Sequence, residues 1–149
     1  MKIVNRRAYY DYAITDRLEA GLVLSGMEVK SVKAGRIKLE EAYVKNINGE
    51  LWLINAHIPA YQFADARNYQ PDRSRKLLLH RKEILSLEKK IEGRNLTLAP
   101  LSCYNKGPRI KLEIGIGRGK KQWEKREQIK RRDIDREVEK TLRVKKYQF

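Results

Sequence analysis

The sequence predicts a mainly β fold, a small antiparallel barrel with two or three short helices, followed by a basic C-terminal tail. Residues 110–116 alternate between Ile or Leu and a charged residue or Gly, which is the period of a half-buried strand. Asn48-Gly49 separates two apolar segments and supplies the positive φ angles of a type I′ hairpin turn. Residues 120–149 contain neither Gly nor Pro and begin a basic segment.

The other predicted strands are rich in β-branched, aromatic and aliphatic residues and are bounded by turn residues. They are residues 12–24, 42–47, 51–58 and 96–104. The first of them is a strand pair or one bent strand, interrupted at Ala20-Gly21. The last pairs with residues 110–116 through a turn at 105–108, and Pro100, which lacks a backbone N–H, predicts a bulge or an edge.

A first short helix is predicted after the strand at residues 12–24. Ser25 caps its start, Met27, Val29 and Val32 are its apolar residues, and Gly35 ends it. Six or so short antiparallel strands with helices in their connections favour a closed or nearly closed barrel of the OB type. The choice of a barrel over a sandwich rests on strand number alone.

A second helix is predicted over residues 81–92, with Gly93 just after its end. Its apolar residues fall near one face and are Ile84, Leu85, Leu87 and Ile91. Residues 63–75, rich in Asp, Asn and Arg, are predicted to form a loop between the two helices.

Charge divides the chain into two parts. The 149 residues contain 34 Lys and Arg against 19 Asp and Glu, a net charge of +15, and residues 117–149 hold 13 of the basic and 6 of the acidic side chains. We predict a barrel over residues 1–119 and a basic tail over 120–149. The apolar stripe of the tail is one residue wide, so a helix there gains little from packing. We expect the free tail to be disordered or marginally helical; a helix docked on the barrel is the alternative.

Composition also limits which cellular compartment and which cofactors are expected. Cys103 is the only cysteine and is expected in the core, and with only His57 and His80 beside it the chain offers no Cys/His zinc cluster. No segment approaches the roughly 18 apolar residues of a membrane span, and the first residues lack the apolar region of a secretory signal. We expect a cytoplasmic protein with no metal, no cofactor and no membrane partner.

The excess of positive charge predicts an RNA partner. Three basic groups, at residues 5–7, 73–76 and 117–121, each lie near tyrosines or a tryptophan. Cations hold phosphates while unpaired bases stack on exposed rings, a combination that suits structured RNA better than duplex DNA. A single lysine is by itself as well explained by a solvated surface. No phosphate-binding loop or acid–base constellation indicates an enzyme.

Six short segments resemble the SmpB, or SsrA-binding protein, family in order and spacing. They are Asn5–Ala8, Leu18–Gly21, Gly26–Ser31, Lys33–Arg36, Arg75–Leu79 and Gly119–Lys121. The resemblance implies an OB-like, cytoplasmic adaptor that binds transfer-messenger RNA (tmRNA) and escorts it to stalled ribosomes for trans-translation. It also implies a monomer that acts one-to-one with tmRNA and is not an enzyme.

The resemblance further implies two sets of site residues. Those for the tRNA-like domain of tmRNA are Asn5, Arg7, Tyr10, Glu19, Lys33, Arg36, Lys76, Leu78, Lys111, Lys120 and Lys121. Those for the decoding centre and message channel of the small subunit are Trp123, Glu124, Lys125, Arg126, Arg131, Arg132 and Leu142. Glu124 stands where the family has Asp, one methylene shorter. From the residues alone, core packing is the default for Leu78 and a salt bridge for Glu19.

Two other functions remain open at this stage. A ribosomal or assembly protein that binds ribosomal RNA through an OB-like barrel would have the same charge, size and tail. An RNA-processing enzyme is the third possibility, and metal-dependent cleavage by the purified protein would indicate it. Only the ordered set of segments favours the adaptor.

Overall fold

The computed structural model describes the backbone of residues 1–146 and the side chains of residues 1–142. The chain divides into two compact units at Gly119–Lys120. The first contains seven strands and three helices. They are β1 (Lys2–Val4), α1 (Arg6–Asp11), β2 (Tyr12–Leu22), α2 (Gly26–Lys33), β3 (Tyr43–Ile47), β4 (Glu50–Ile54), β5 (Arg75–Leu78), α3 (Arg81–Ile91), β6 (Thr97–Lys106) and β7 (Arg109–Gly119). The described part of the second is one helix, α4 (Gln122–Lys146); residues 147–149 of the predicted tail lie outside the described residues.

The strands form one sheet in the order β1-β6-β7-β2-β5-β4-β3, and neighbouring strands are antiparallel. Strand β3 also lies against β6, so the sheet curls toward closure without a continuous ladder between them. The prediction of a mainly β, barrel-like fold with short helices is confirmed. Among the described helices, none combines the length and the apolar composition that crossing a membrane requires.

Local sequence signals determine the α2 segment and the first hairpin. The Ser25 hydroxyl accepts the Glu28 N–H at 3.3 Å, and a Glu28 carboxylate oxygen accepts the Ser25 N–H at 3.0 Å, a reciprocal capping box. Asn48 and Gly49 have φ angles of 52° and 82°, as a type I′ turn requires. The second strand of that hairpin ends at Ile54 rather than at residue 58, because Asn55 turns into the left-handed region with a φ of 63°.

The predicted interruption at Ala20-Gly21 was wrong. Strand β2 runs unbroken through these two residues, and its irregularity lies between Ile14 and Asp16, where the register with β7 shifts. Gly117 of β7 lies opposite this bulge, and a Cβ there would come within 2.3 Å of the Ala13 carbonyl oxygen. A side chain at position 117 is therefore incompatible with the observed backbone approach.

The β6–β7 hairpin confirms the predicted bulge at Pro100, since the register shifts between Pro100 and Ser102. The ladder continues to the pair Lys106 and Arg109, so the connection is shorter than the predicted turn at 105–108. Gly107, with a φ of 61°, makes this two-residue turn possible.

The core lies between the inner face of the sheet and helices α2 and α3. Leu53, Leu112 and Ile114 are fully buried, as is Val32 of α2; each such side chain contributes roughly 1.5–3 kcal/mol. Cys103 is also buried in this core, as predicted. Helix α3 buries Leu87 and leaves Leu85 46% exposed, so the prediction that Leu85 belongs to its apolar face was wrong.

Candidate RNA interface

An open groove crosses strands β7, β2 and β5 on the first unit. It measures about 1070 Å³, and its lining includes Arg17, Glu19, Leu78, Arg109 and Lys111. The groove is too open to enclose a small ligand, and its cations suit a phosphodiester backbone. Glu19, Leu78 and Lys111 are far apart in the sequence and were predicted as RNA contacts separately.

The sheet register explains why these residues meet. Gly21 of β2 pairs with Lys111 on one side and with Leu78 on the other, so the three form a row across the sheet. Lys111 faces outward between buried Ile110 and Leu112, as the alternation predicted. Because Gly21 has no side chain, the floor between Lys111 and Leu78 stays open; a Cβ there would meet Leu78 at 3.3 Å.

Leu78 is 55% exposed, so the default interpretation of this residue as core was wrong. Strand alternation gives the reason: Arg75 and Leu77 point inward, and Lys76 and Leu78 point outward. The exposed leucine gives the groove an apolar surface on which a base or ribose can pack.

The carboxylate of Glu19 is held in place by two neighbours on β6. The Tyr104 hydroxyl donates a hydrogen bond to one carboxylate oxygen, and the Lys106 ammonium lies 3.5 Å from the other. The Tyr104 hydrogen bond, followed by the charges of Lys106 and Lys111, holds the pKa of Glu19 below its usual value. Glu19 is therefore an ionised acceptor, and its side chain is still 36% exposed toward N–H donors in the groove.

Helix α1 adjoins the groove through a cation–π contact, in which the Arg17 guanidinium lies 5.4 Å from the centre of the Tyr9 ring. The helix carries two further predicted contacts. Arg7 is 59% exposed and lies 3.5 Å from Asp11, and Tyr10 is partly exposed.

The prediction that Asn5 contacts RNA is corrected, because only 4% of this residue is exposed. Its amide donates to the carbonyl oxygens of Leu39 at 3.1 Å and Pro100 at 2.9 Å, and its side-chain oxygen accepts the Ala8 N–H. The role that the structure gives Asn5 is to fix the start of α1 and so to position Arg7.

Three other predicted contacts of the first unit lie outside the groove. Lys33 and Arg36, at the end of α2 and just after it, are exposed and are not among the groove-lining residues. Lys76 is 42% exposed on β5 and lies 3.4 Å from Glu50.

Two of the three cations at residues 73–76, Arg73 and Arg75, pair with buried Glu28, so only Lys76 of this group remains a predicted phosphate contact. Arg75 is fully buried and donates to Glu28 at 2.8 Å and to the carbonyl oxygens of Ala56 and Pro71 at 2.5 and 2.7 Å. Arg73 also pairs with Glu28. Burial opposes ionisation of Glu28, but hydrogen bonds from Arg73, the Ser25 N–H and Arg75 outweigh it and lower its pKa to about 2.

Sequence reasoning missed four groove-side residues, which are Arg17, Tyr104, Lys106 and Arg109. Strand alternation could have identified Tyr104 and Lys106, because Cys103 is a predicted core residue and the residues at 104 and 106 lie on the opposite face of the strand. Arg17 and Arg109 carry no motif. Their placement depends on the register between β2 and β7, which the sequence does not specify.

The second unit brings several predicted ribosome contacts together on one stretch of α4. A shallow cleft is lined by Lys120, Trp123, Glu124, Glu127, Gln128, Arg131, Arg132 and Asp135. Glu124 accepts the Lys121 N–H at 3.4 Å near the start of the helix, and Lys120 donates to Gln128. Trp123 is 60% exposed.

The remaining tail predictions lie elsewhere on the same helix. Lys125 is partly buried, Lys121 and Arg126 are exposed, and Leu142 is 61% exposed. The helix therefore leaves its apolar stripe in contact with water. That the free tail is disordered or only marginally helical stays a prediction.

Comparison with known proteins identifies the family. A sequence profile of the SmpB protein family matches residues 2–144. The chain belongs to the SmpB family. An SsrA-binding protein of Carboxydothermus hydrogenoformans is 47% identical over 141 residues, covering 95% of both chains. An SsrA-binding protein of Streptococcus pneumoniae is 46% identical over 140 residues, covering 94% of this chain and 90% of the relative.

A solved structure gives the same answer for the SmpB fold. A chain from the structure described as "tmRNA-SmpB: a journey to the center of the bacterial ribosome" superposes with a TM-score of 0.67 at 42% identity. The match covers 81% of this chain and 85% of the solved chain. The resemblance stated from six short segments is thus confirmed over nearly the whole length.

Proposed function

We propose that this protein is a tmRNA-binding adaptor that delivers tmRNA to stalled ribosomes in trans-translation. The observation that carries the proposal is the row formed by Lys111, Gly21 and Leu78 beside Glu19 in one groove. The groove offers a fixed carboxylate, cations and an apolar surface, the three elements needed to hold a folded RNA with an unpaired base.

Each element of the groove has a distinct task. Glu19 accepts N–H donors from the edge of an unstacked base, such as the N1 and N2 donors of guanine. Lys111, Arg17 and Arg109 neutralise phosphates. Leu78 packs against the face of the sugar or base, and α1 adds Arg7 and Tyr10 along the same RNA.

The surface cations outside the groove supply further RNA contacts. Lys33, Arg36 and Lys76 of the first unit interact with phosphates of tmRNA without reading sequence. Lys120 and Lys121, at the start of the second unit, interact with phosphates in the same way. No bond is made or broken by any of these contacts, so the protein acts as an adaptor rather than as an enzyme, in the cytoplasm where ribosomes translate.

The tail supplies the ribosome contact. A helix of 25 residues is about 37 Å long, which suits it to lie along the message channel in place of codon–anticodon pairing. Trp123 offers an exposed ring for a ribosomal base at the decoding centre. Glu124, Lys125 and Arg126 lie beside it, and the further contacts are Arg131, Arg132 and Leu142.

Titration of the purified tRNA-like domain of tmRNA tests the barrel's role. We expect Glu19→Gln to weaken binding roughly 10- to 100-fold, the range for a hydrogen bond to a charged group. Lys111→Gln should lower the slope of log K against log salt by about one. Lys45→Gln, which removes an exposed lysine of β3 outside the groove, is the matched control. Equal losses of affinity in Lys111→Gln and Lys45→Gln would mean that the groove binds RNA only through non-specific positive charge.

Peptide tagging on stalled ribosomes tests the role of the tail. Truncation after Gly119 or replacement of Trp123 should leave binding to tmRNA largely intact and abolish tagging. Loss of both activities together would contradict two separate sites. Binding of ribosomal RNA fragments in preference to the tRNA-like domain would instead favour a ribosomal protein.

A further inference from the structure

The connection between β4 and β5 presents two aromatic rings away from the groove. Phe63 is 79% exposed, the highest value among the large hydrophobic side chains of the described residues. The Tyr61 ring meets it edge to face, with centroids 5.5 Å apart and planes at 72°. The Lys30 ammonium of α2 lies 5.7 Å from the centre of the Tyr61 ring. We call Lys30, Tyr61 and Phe63 the aromatic platform.

The platform stands on a firmly attached base. The Tyr69 hydroxyl donates to the Ile58 carbonyl at 2.7 Å, and the Ser31 hydroxyl donates to the Pro59 carbonyl at 2.7 Å. The Ile58 N–H donates to the Pro71 carbonyl at 3.1 Å, which closes the two ends of the loop. Buried Arg75 donates to the same Pro71 carbonyl. The rings are thus displayed by a preorganised loop, which lowers the entropic cost of binding.

The size and charge of the platform favour RNA over a protein partner. One aromatic side chain buries roughly 150–250 Å², whereas a stable protein interface needs about 800 Å² on each side. A single unpaired base, in contrast, is covered by one ring. Lys33 lies one helical turn beyond Lys30 and is exposed, so the same side of α2 carries a second ammonium group that can hold a phosphate.

We propose that the aromatic platform is a second RNA-contact site, which stacks one unpaired base on Phe63 and holds the adjoining phosphates with Lys30 and Lys33. It does not share residues with the groove around Glu19. The proposal goes beyond the adaptor function, because it gives the barrel a second strand-binding surface for an RNA segment other than the one seated in the groove.

The test uses the full chain and a fluorescein-labelled single-stranded dodecamer of adenosine. We expect Phe63→Ala and Phe63→Leu each to weaken binding roughly 5- to 100-fold, the range for loss of one base–aromatic stack. Phe63→Tyr should bind within twofold of the unaltered protein. Ile47→Ala, which removes an exposed apolar side chain of β3, is the matched control and should change nothing.

A second readout places the RNA at position 63. In Phe63→Trp the added indole should be quenched on titration with the unlabelled dodecamer, beyond the quenching that the unaltered chain shows. Absence of that extra quenching, or unchanged binding by Phe63→Ala, would overturn the proposal. Full retention by Phe63→Leu would also overturn it, because leucine keeps the apolar surface without the ring.

The same variants separate this proposal from the adaptor function. Phe63→Ala should bind the tRNA-like domain normally. Glu19→Gln should bind that domain roughly 10- to 100-fold more weakly yet keep the dodecamer-dependent quenching in the Phe63→Trp background. If the tRNA-like domain failed to bind the unaltered chain, the adaptor function would fail alone. The dodecamer results would still decide the platform.

Discussion

Replacement of Glu28 by Gln tests whether the buried ion pair holds the barrel together. Glu28 and Arg75 are both fully buried, and the nearest guanidinium nitrogen lies 2.6 Å from the carboxylate. A glutamine at this position could still accept the Ser25 N–H, since capping boxes use Glu or Gln. The substitution therefore removes the counter-charge of Arg75 and leaves the helix cap in place.

Two independent arguments give the size of the stability loss expected for Glu28→Gln. Loss of one partner from a buried ion pair costs about 3–5 kcal/mol, because the other charge remains buried. The folded-state pKa of Glu28, about 2, lies below its usual value of 4.5, and a difference of that size is worth about 3 kcal/mol. Since the folded-state pKa is lowered, this stabilisation is complete above about pH 4.5 and is lost as the pH falls toward 2. Glu28→Gln should lose about 3–5 kcal/mol at pH 7 and much less near pH 2.5.

Urea unfolding at both pH values measures the effect. With Trp123→Phe in every sample, the fluorescence of half-buried Trp52 on β4 reports the barrel. Glu83→Gln is the matched control, because Glu83 accepts the His80 N–H at the start of α3 in the same way, at 3.2 Å, but is partly exposed. Its cost should stay below about 1 kcal/mol. If Glu28→Gln and Glu83→Gln unfold alike at pH 7, the ion pair contributes nothing measurable and the reasoning fails.

Three further expectations concern packing. Gly117→Ala should destabilise the barrel by about 1–3 kcal/mol, because its Cβ would come within 2.3 Å of a backbone oxygen of β2, whereas Gly119→Ala, with open space around it, should be near neutral in urea unfolding. Leu77→Ala should cost about 2–5 kcal/mol and leave a cavity, while Leu78→Ala should cost little stability and instead weaken binding of the tRNA-like domain. Burial raises the pKa of the Cys103 thiol to about 12, so a disulfide reagent at pH 8 should modify it only as fast as the barrel opens.

Elements whose signals are local were predictable from the sequence. Asn48-Gly49 and the Ser25–Glu28 box need only their own neighbours, and both were identified with correct geometry. Strand β1 and helix α1 were missed because their stabilising contacts are distant. Residues 2–4 pair with β6, about 100 positions away, and Asn5 caps α1 while it contacts Leu39 and Pro100.

Only part of the candidate site could be predicted from the sequence. A count of cations marked residues 73–76 as a phosphate site, but a count does not show which face of a strand a residue occupies, and Arg75 points into the core. The apolar run at residues 77–79 suggested a buried segment, whereas alternation exposes Leu78. Glu19 has no motif chemistry of its own, and the family resemblance singled it out. The register of β2 then placed it beside Lys111.

The distribution of acidic residues bears on how the groove selects its RNA. Glu28 pairs with Arg75 in the core. Asp72 pairs with His57, and Glu113 pairs with Arg17. Glu19 is an ionised carboxylate that lines a cationic groove while it keeps an exposed face. A phosphate placed there is repelled, and a base that presents N–H donors is accepted. Glu19 therefore opposes non-specific binding of RNA and also favours specific binding. Glu19→Gln should reduce the preference for the tRNA-like domain over competitor tRNA more than it reduces total affinity for RNA.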